Sequence, residues 1–460
     1  MGYKESEFLE ESREKSTDLN LRKKINFTLN QSDVAFLKGK EQFKDLVAAR
    51  ERANSVKWDA IEHLDKYLER FELEFSKKGG KVIYAENAQQ ALDEIWTICK
   101  AKNAKSIVKS KSMVTEEIHL NKFLEDHHVE IIETDLGEYI QQLDEEPPYH
   151  IVAPAMHKSK EDVAELFHEK LNVPLGLTPE QLTLVAREKL REKFSEAEIG
   201  ITGVNFILAD IGGIAITENE GNARLSCSFP KTHIAITGIE KILPSVHDLD
   251  LFWPLLATHG SGQNVTVYNS IITGPKQAGE ADGPDEMYVI LLDNGRTNIL
   301  ADPNARQSLY CIRCGACLNV CPVFKNIGGH TYNATYSGPI GSVITPYLSG
   351  LKNYKHLSYA STLCGNCTEV CPVRINLHEL LLDNRRKAVE ESIGSVAEKA
   401  SWYVWKKASV SRRLMDMVGG KFKNFFIQRL FKGAWGKKRS LPVFSNKSFS
   451  DQWKEKKKPN

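Results

Sequence analysis

Apolar positions in residues 1–76 fall three and four apart among Lys and Glu, most clearly over residues 32–53 and 60–75. This spacing predicts a helical N-terminal arm. Lys77, Lys78, Gly79 and Gly80 then punctuate the chain. From residue 77 to 300 the texture changes to short apolar runs alternating with amphipathic stretches. Strands are predicted at residues 81–85, 106–109, 129–133 and 150–153, with helices at 88–100 and 115–127. Further strands are predicted at 205–209, 213–217, 233–237 and 264–268. The rhythm argues for an α/β layered domain with a largely parallel sheet. Residues 303–382 form a cysteine-rich module, and residues 383–460 begin helical and become basic and aromatic.

Composition narrows the class. With 460 residues the chain is long enough for two or three domains. Its 41% apolar and 26% charged residues are proportions typical of a globular protein. The net charge of +1 gives no global pull toward nucleic acid or an anionic membrane. From Arg385 onward, however, Lys and Arg outnumber Asp and Glu about three to one. No apolar run approaches the ~20 residues that span a bilayer. The opening residues carry no secretory signal, which implies a reducing cytoplasm. The short myristoylation-like pattern at Gly2 is the kind that matches by chance.

Seven of the nine cysteines lie between Cys311 and Cys371. Cys311, Cys314, Cys317 and Cys321, followed by Pro322, complete a C-x2-C-x2-C-x3-C-P signature. Cys364, Cys367 and Cys371, followed by Pro372, repeat the frame with Ser361 in place of its first cysteine. Thiolates must converge on an iron–sulfur cubane from several directions, and two-residue gaps let the backbone wrap one corner. Gly315 and Gly365 sit in those gaps, where a side chain would crowd the cluster. In two-cluster ferredoxins the fourth cysteine of each run ligates the other cluster. Applied here, cluster one takes Cys311, Cys314, Cys317 and Cys371, and cluster two takes Cys321, Cys364 and Cys367. Cluster two then has three cysteines. It is a three-iron cluster, a four-iron cluster with an open iron, or one completed by Ser361, His356 or His378; a site with no replacement protein ligand is favoured. Zinc sites use one or two CxxC pairs per ion, and disulfides do not suit the compartment. Cys99 and Cys227 are isolated and read as ordinary buried thiols.

Three loops of the α/β region are candidate ligand sites. Thr217, Glu218, Asn219, Glu220 and Asn222 occupy a predicted strand end, where open α/β sheets bind ligands. The segment from Lys109 to Met113 suits an anion at a helix N-terminus. The segment from Thr258 to Gly262 is glycine-rich. Each also reads as a plain turn with Ser and Thr caps. Neither a dinucleotide fingerprint nor a P-loop is present. The insert between the cysteine runs, with Gly328, Gly329, Gly338 and Gly341, suggests an ordered loop over the clusters. In the tail, Trp402, Trp405, Phe422, Phe425, Phe426, Phe431 and Trp435 are interleaved with basic residues. That pattern suits docking of a partner subunit or packing on the body, with peripheral membrane contact as the rival. Residues 454–460 are expected to be disordered.

The sequence from Ala209 to Gly213, that from Glu218 to Asn222 and the two cysteine runs together resemble the lactate utilization protein B family over nearly the whole chain. The resemblance implies a LUD domain, with a fold similar to the sugar-isomerase and CoA-transferase group, followed by a helical ferredoxin-type iron–sulfur domain. With the changes of texture along the chain, the segments run 1–76, 77–300, 303–382 and 383–460. The resemblance further implies a bacterial cytoplasmic protein working with two partners, a cysteine-rich iron–sulfur protein and a second LUD protein, to oxidise L-lactate to pyruvate. The family's ligand pattern falls on the same two sets of cysteines, including the three-cysteine second site. On this resemblance the chain is an electron-relay subunit. The alternatives are a catalytic subunit, with an open iron or with Glu218 or Glu220 as base, and a non-enzymatic redox sensor.

Overall fold

The computed structural model describes residues 3–430, 432–435 and 440–456. The chain forms two compact units, Gly2–Glu391 and Ser392–Asn460. In the larger unit, ten strands follow four N-terminal helices. They are β1 (Lys81–Ala85), β2 (Ser106–Lys109), β3 (Glu130–Glu133), β4 (Ile199–Gly203), β5 (Phe206–Leu208), β6 (Gly213–Glu218), β7 (Thr232–Gly238), β8 (Ile242–Leu243), β9 (Tyr268–Ile272) and β10 (Glu286–Leu292). Six make an all-parallel sheet in the order β1-β10-β7-β4-β2-β3. The other four make a mixed sheet, β8-β5-β6-β9.

Side-chain alternation along the central strands builds a core on each face of the parallel sheet. Ile234, Ile236, Ile290 and Leu292 pack with the helices Ala88–Lys102 and Leu120–Asp126. Ala235, Met287, Val289 and Leu291 point the other way, toward the helix Leu64–Ser76 and the mixed sheet. The N-terminal helices are not a separate arm. Phe8, Ile25 and Leu29 share one core with Cys314, Cys317, Leu318 and Phe324 of the cysteine module.

Several predicted elements are corrected. The helix expected over 32–53 is two, Leu19–Gly39 and Leu46–Glu62, joined through a 3₁₀ turn at Lys40–Gln42. The break is fixed by Gly39, where a Cβ would stand 2.5 Å from the Gly262 carbonyl oxygen. It is also fixed by Asp45, whose carboxylate accepts the Ala48 amide at 2.9 Å. The helix expected over 115–127 divides at His119, which has φ 55°. Residues 150–153 form a turn instead of a strand, because His150 Nδ1 accepts the amides of Val152 and Ala153 at 3.1 and 3.2 Å. The strand expected at 264–268 begins at its far end, as β9, because Asn219 and Gln42 hold the preceding turn through Val267 N and Asn264 O. The insert between the cysteine runs is mostly helical, with Gly338–Ser349 and Leu351–Tyr359 as its main elements.

The smaller unit contains the helices Val396–Ser409, Arg412–Asp416, Gly420–Leu430, Lys432–Trp435 and Phe449–Lys456. Trp402, Trp405, Phe422, Phe425 and Phe426 are exposed within it. Phe431 and the side chain of Trp435 lie outside the described residues, as do residues 1, 2 and 457–460. Residues 454–456, expected to be disordered, continue a helix. Among the described residues no helix is long and apolar enough to cross a membrane.

Candidate functional site

Two short backbone motifs position the cysteines, and the second copies the first. Gly315 (φ 79°) opens the one-turn helix Ala316–Asn319, which carries Cys317. Gly365 (φ 83°) opens the helix Asn366–Val370, which carries Cys367. Left-handed backbone at these two positions favours glycine. Two residues earlier, Arg313 and Leu363 are also left-handed, at φ 61° and 54°. Their amides turn inward. Arg313 N donates to Cys311 Sγ at 3.4 Å, and Leu363 N donates to Ser361 Oγ at 3.1 Å. Ser361 therefore holds, in the second motif, the backbone position of Cys311 in the first.

The folded chain brings the seven cysteines together in two sets. Burial and then the neighbouring Cys311, Cys314 and Cys371 raise the Cys317 thiol. Burial and then Cys321 and Cys364 raise Cys367 to about 11. Burial raises Cys371 to about 12, and the Ile375 amide donates to its Sγ at 3.3 Å. None of the seven is in a disulfide. Converging buried thiols repel as anions and are costly to ionise, so iron–sulfur ligation fits the donor set: the metal supplies the missing positive charge. The first set is buried apart from the half-buried Cys311, whereas the second reaches the surface at Cys364. His378 Nδ1 is engaged with Thr368 Oγ1 at 2.7 Å, and the His356 ring packs on Phe8 at 5.2 Å. Cys99 and Cys227 are buried away from both sets, at 1% and 6% exposure.

Beside the first set lies a cavity of ≈ 290 Å³. It collects all three loops singled out in the sequence. Ser110, Lys111 and Ser112 come from the end of β2, Glu218 to Glu220 from the end of β6, and Gly260 and Ser261 from the glycine-rich segment. Arg313, between two cysteines, completes the wall with Lys241 and Tyr336. A Cβ on Gly260 would lie 3.4 Å from the Cys314 carbonyl oxygen, so the cavity wall and the cysteine loop are in close contact.

The loop residues divide into those used by the fold and those left for a ligand. Lys109 does not face the cavity; its ammonium is buried against Glu133 at 2.7 Å and Glu116 at 3.1 Å. Lys111 Nζ donates to the Val152 carbonyl at 2.6 Å. Glu218 accepts the amides of Ala223 and Arg224 at 2.6 and 2.9 Å, so it anchors the helix Asn222–Ser228 and is poorly placed as a base. Asn219 and Gln263 pair through both amides at 3.0 Å. Glu220 is exposed, and its carboxylate lies at the cavity wall. Partial desolvation, then the charge of Asp135, push its carboxyl up to about 7, opposed by the Leu136 amide and Lys111.

A buried charge network ties this wall to the sheet. Arg296 Nε meets Glu240 Oε2 at 2.7 Å and its Nη2 meets Glu117 Oε2 at 2.8 Å. Glu240 Oε1 accepts from Arg313 Nη2 at 3.3 Å, and Tyr336 donates to Glu117 at 2.6 Å. Burial alone would raise Glu240, but Arg296, then Arg313 and Lys241, override it and hold the carboxyl at about 2. Burial, then Arg313, lower Lys241 to about 8. Sequence reasoning passed over Glu117, Glu240, Lys241 and Arg296, which sit outside any motif. Arg313 had a signal, since it lies inside the first cysteine run.

Comparison with known proteins matches residues 68–292 to the LUD domain and residues 307–375 to the 4Fe-4S dicluster domain. Lactate utilization protein B of Bacillus velezensis is 44% identical over 422 residues, covering 89% of this chain and 88% of that protein. The protein of the same name from Anoxybacillus flavithermus is 42% identical, covering 95% and 97%. That from Shouchella clausii is 48% identical, covering 74% and 72%. Among solved structures, a DUF162 family protein from Deinococcus radiodurans aligns with 50% of this chain and 98% of its own at 14% identity and a TM-score of 0.26.

Proposed function

The chain belongs to the lactate utilization protein B family, and from that premise we propose that it serves lactate utilization as the iron–sulfur electron-transfer subunit of a complex oxidising L-lactate to pyruvate. The carrying observation is the gathering of seven thiols into two sets, one enclosed beside the LUD cavity and one reaching the surface at Cys364. Cys311, Cys314, Cys317 and Cys371 would hold one cluster, and Cys321, Cys364 and Cys367 the other. Such clusters, when bound, supply one-electron transfer at potentials set by burial and hydrogen bonding. Oxidising lactate to pyruvate releases two electrons and two protons, so two one-electron centres suit its stoichiometry.

The chain's own residues support that role in three ways. The amides of Arg313 and Ile375 donate to ligand sulfurs, which stabilises negative charge there. Arg50 Nε donates to the Cys371 carbonyl at 3.0 Å and fixes that loop to the helix Leu46–Glu62. The apolar core around Cys314 and Cys317 excludes water from the inner set. The partners would be a cysteine-rich iron–sulfur protein and a second LUD protein.

Anaerobic chain mixed with L-lactate tests the reading by visible absorbance. Bleaching is expected only after both partners are added. Rapid bleaching of the chain alone would replace the relay reading with a catalytic one.

A further inference from the structure

We propose that the cavity between the strand ends and the Cys311–Cys317 loop binds a small 2-hydroxy or 2-oxo carboxylate, with Lys241 and Arg313 receiving the carboxylate and Glu220 facing the neighbouring oxygen. The inference rests on the relay reading, because Arg313 lies between two of the cysteines assigned to the inner cluster.

The cavity has a cationic end with unused donors. Lys241 is 6% exposed and lines it, and among the described residues its Nζ makes no hydrogen bond or ion pair. Arg313 lines it as well, and its Nη1 is buried without a partner. The Arg313 guanidinium lies over the Tyr336 ring at 4.7 Å, which fixes its plane. The adjacent Glu240 is already committed to Arg296 at 2.7 Å. The cations around it, Lys57, Lys241, Arg296 and Arg313, outnumber the carboxylates Glu240 and Glu117. A buried planar guanidinium with a free edge suits a carboxylate.

The other end is acidic. Glu220 faces Asp135 and Glu218, with the cation Lys111 nearby, whereas Lys241 faces Arg313 and Glu240. Asp135 spends an oxygen on the amides of Gly137 and Glu138, and Glu218 spends both on its helix start. Glu220 accepts only the Leu136 amide, through Oε2 at 3.0 Å, which leaves Oε1 for a ligand. This polarity selects a singly charged ligand whose far end is a neutral donor or acceptor, and it disfavours phosphate. At ≈ 290 Å³ the space matches a molecule of a few heavy atoms.

The test is anaerobic equilibrium dialysis of the full chain with radiolabelled L-lactate or pyruvate at about 1 mM, the weak end of specific affinity. One equivalent of at least one of them is expected to bind, with no bleaching. Lys241→Met should weaken binding about tenfold or more, the usual cost of a lost charged hydrogen bond, at unchanged iron content. Ser261→Trp, at the cavity wall and outside the cysteine loops, should block binding if the first variant fails to fold. Binding of neither carboxylate overturns the site, as does binding unchanged in both variants or equal displacement by inorganic phosphate. If Lys241 only balances cluster charge, Lys241→Met shifts the cluster potential while the natural chain binds no carboxylate, and that also overturns it. Bleaching with partners is measured on the same preparations, so failure of the relay reading registers separately from failure to bind.

Discussion

Replacing Arg296 by Met tests whether the buried network holds the cavity wall to the cysteine loop. The side chain is 1% exposed and joins Glu240 at 2.7 Å to Glu117 at 2.8 and 2.9 Å, with a further bond to the Asp293 carbonyl at 3.0 Å. Methionine keeps much of the volume and removes every donor. Glu240 retains Arg313 at 3.3 Å, and Glu117 retains Tyr336 and Asn294. Breaking such a pair from one side costs about 3–5 kcal/mol, because charge is left buried and unmatched. The net hold on Glu240, in which Arg296 is the largest of three cationic contributions, is of similar size. Glu240 is held at about 2 against an ordinary 4.5, a difference worth about 3 kcal/mol. Because the folded value is the lower one, that stability is present above pH 4.5 and is lost as the pH falls from about 4.5 through about 2. The assay is anaerobic urea unfolding of both proteins at pH 7, followed by circular dichroism, with the midpoint shift multiplied by the common slope. A loss of about 3 kcal/mol or more is expected, together with a flatter acid limb between pH 4.5 and 2. A loss below about 1 kcal/mol would refute the reasoning, since that is the value of an exposed pair.

Other perturbations address the site and the frame. Ser361→Cys supplies a thiol where the second motif matches Cys311, so the air-exposed variant should show a weaker three-iron paramagnetic signal than the natural chain; an undiminished signal contradicts the equivalence. Lys109→Met leaves Glu133, Glu116 and Glu138 without their buried cation and should lower the urea-derived stability by about 3 kcal/mol or more; an unchanged midpoint counts against it. Gly200→Ala places a Cβ 1.8 Å from the Ser226 carbonyl oxygen in the middle of the parallel sheet. It should cost about 1–3 kcal/mol in the same assay, whereas a natural stability would mean that the helix Asn222–Ser228 yields easily.

Local signals were readable where chemistry or periodicity was dense. Strands β1 and β2 fall at the bounds their apolar runs predict, and the glycines between the cysteines sit in left-handed backbone that favours glycine. The parallel sheet followed from the alternation of strands and helices and the dicluster segment from the cysteine spacing, whereas the LUD domain came from the family resemblance. What stayed hidden depended on contacts distant in sequence. The break after Gly39 is set by Gly262, whereas the turn at residues 150–153 is a local exception, set by His150 accepting the amides two and three residues on. The N-terminal helices looked like an arm because their apolar stripe does not say what covers it; the cover is the cysteine module. The three ligand-like loops read equally well as turns when taken singly. They become one cavity only when Lys241 and Arg313, from two other segments, close it.

The most direct test of the central claim is iron and acid-labile sulfide analysis of the anaerobically purified full chain, alongside Cys314→Ala. Two clusters on seven thiols predict about seven or eight irons per chain with matching sulfide, and loss of about half in the variant. A natural chain that is colourless, sulfide-free or loaded with zinc would contradict it.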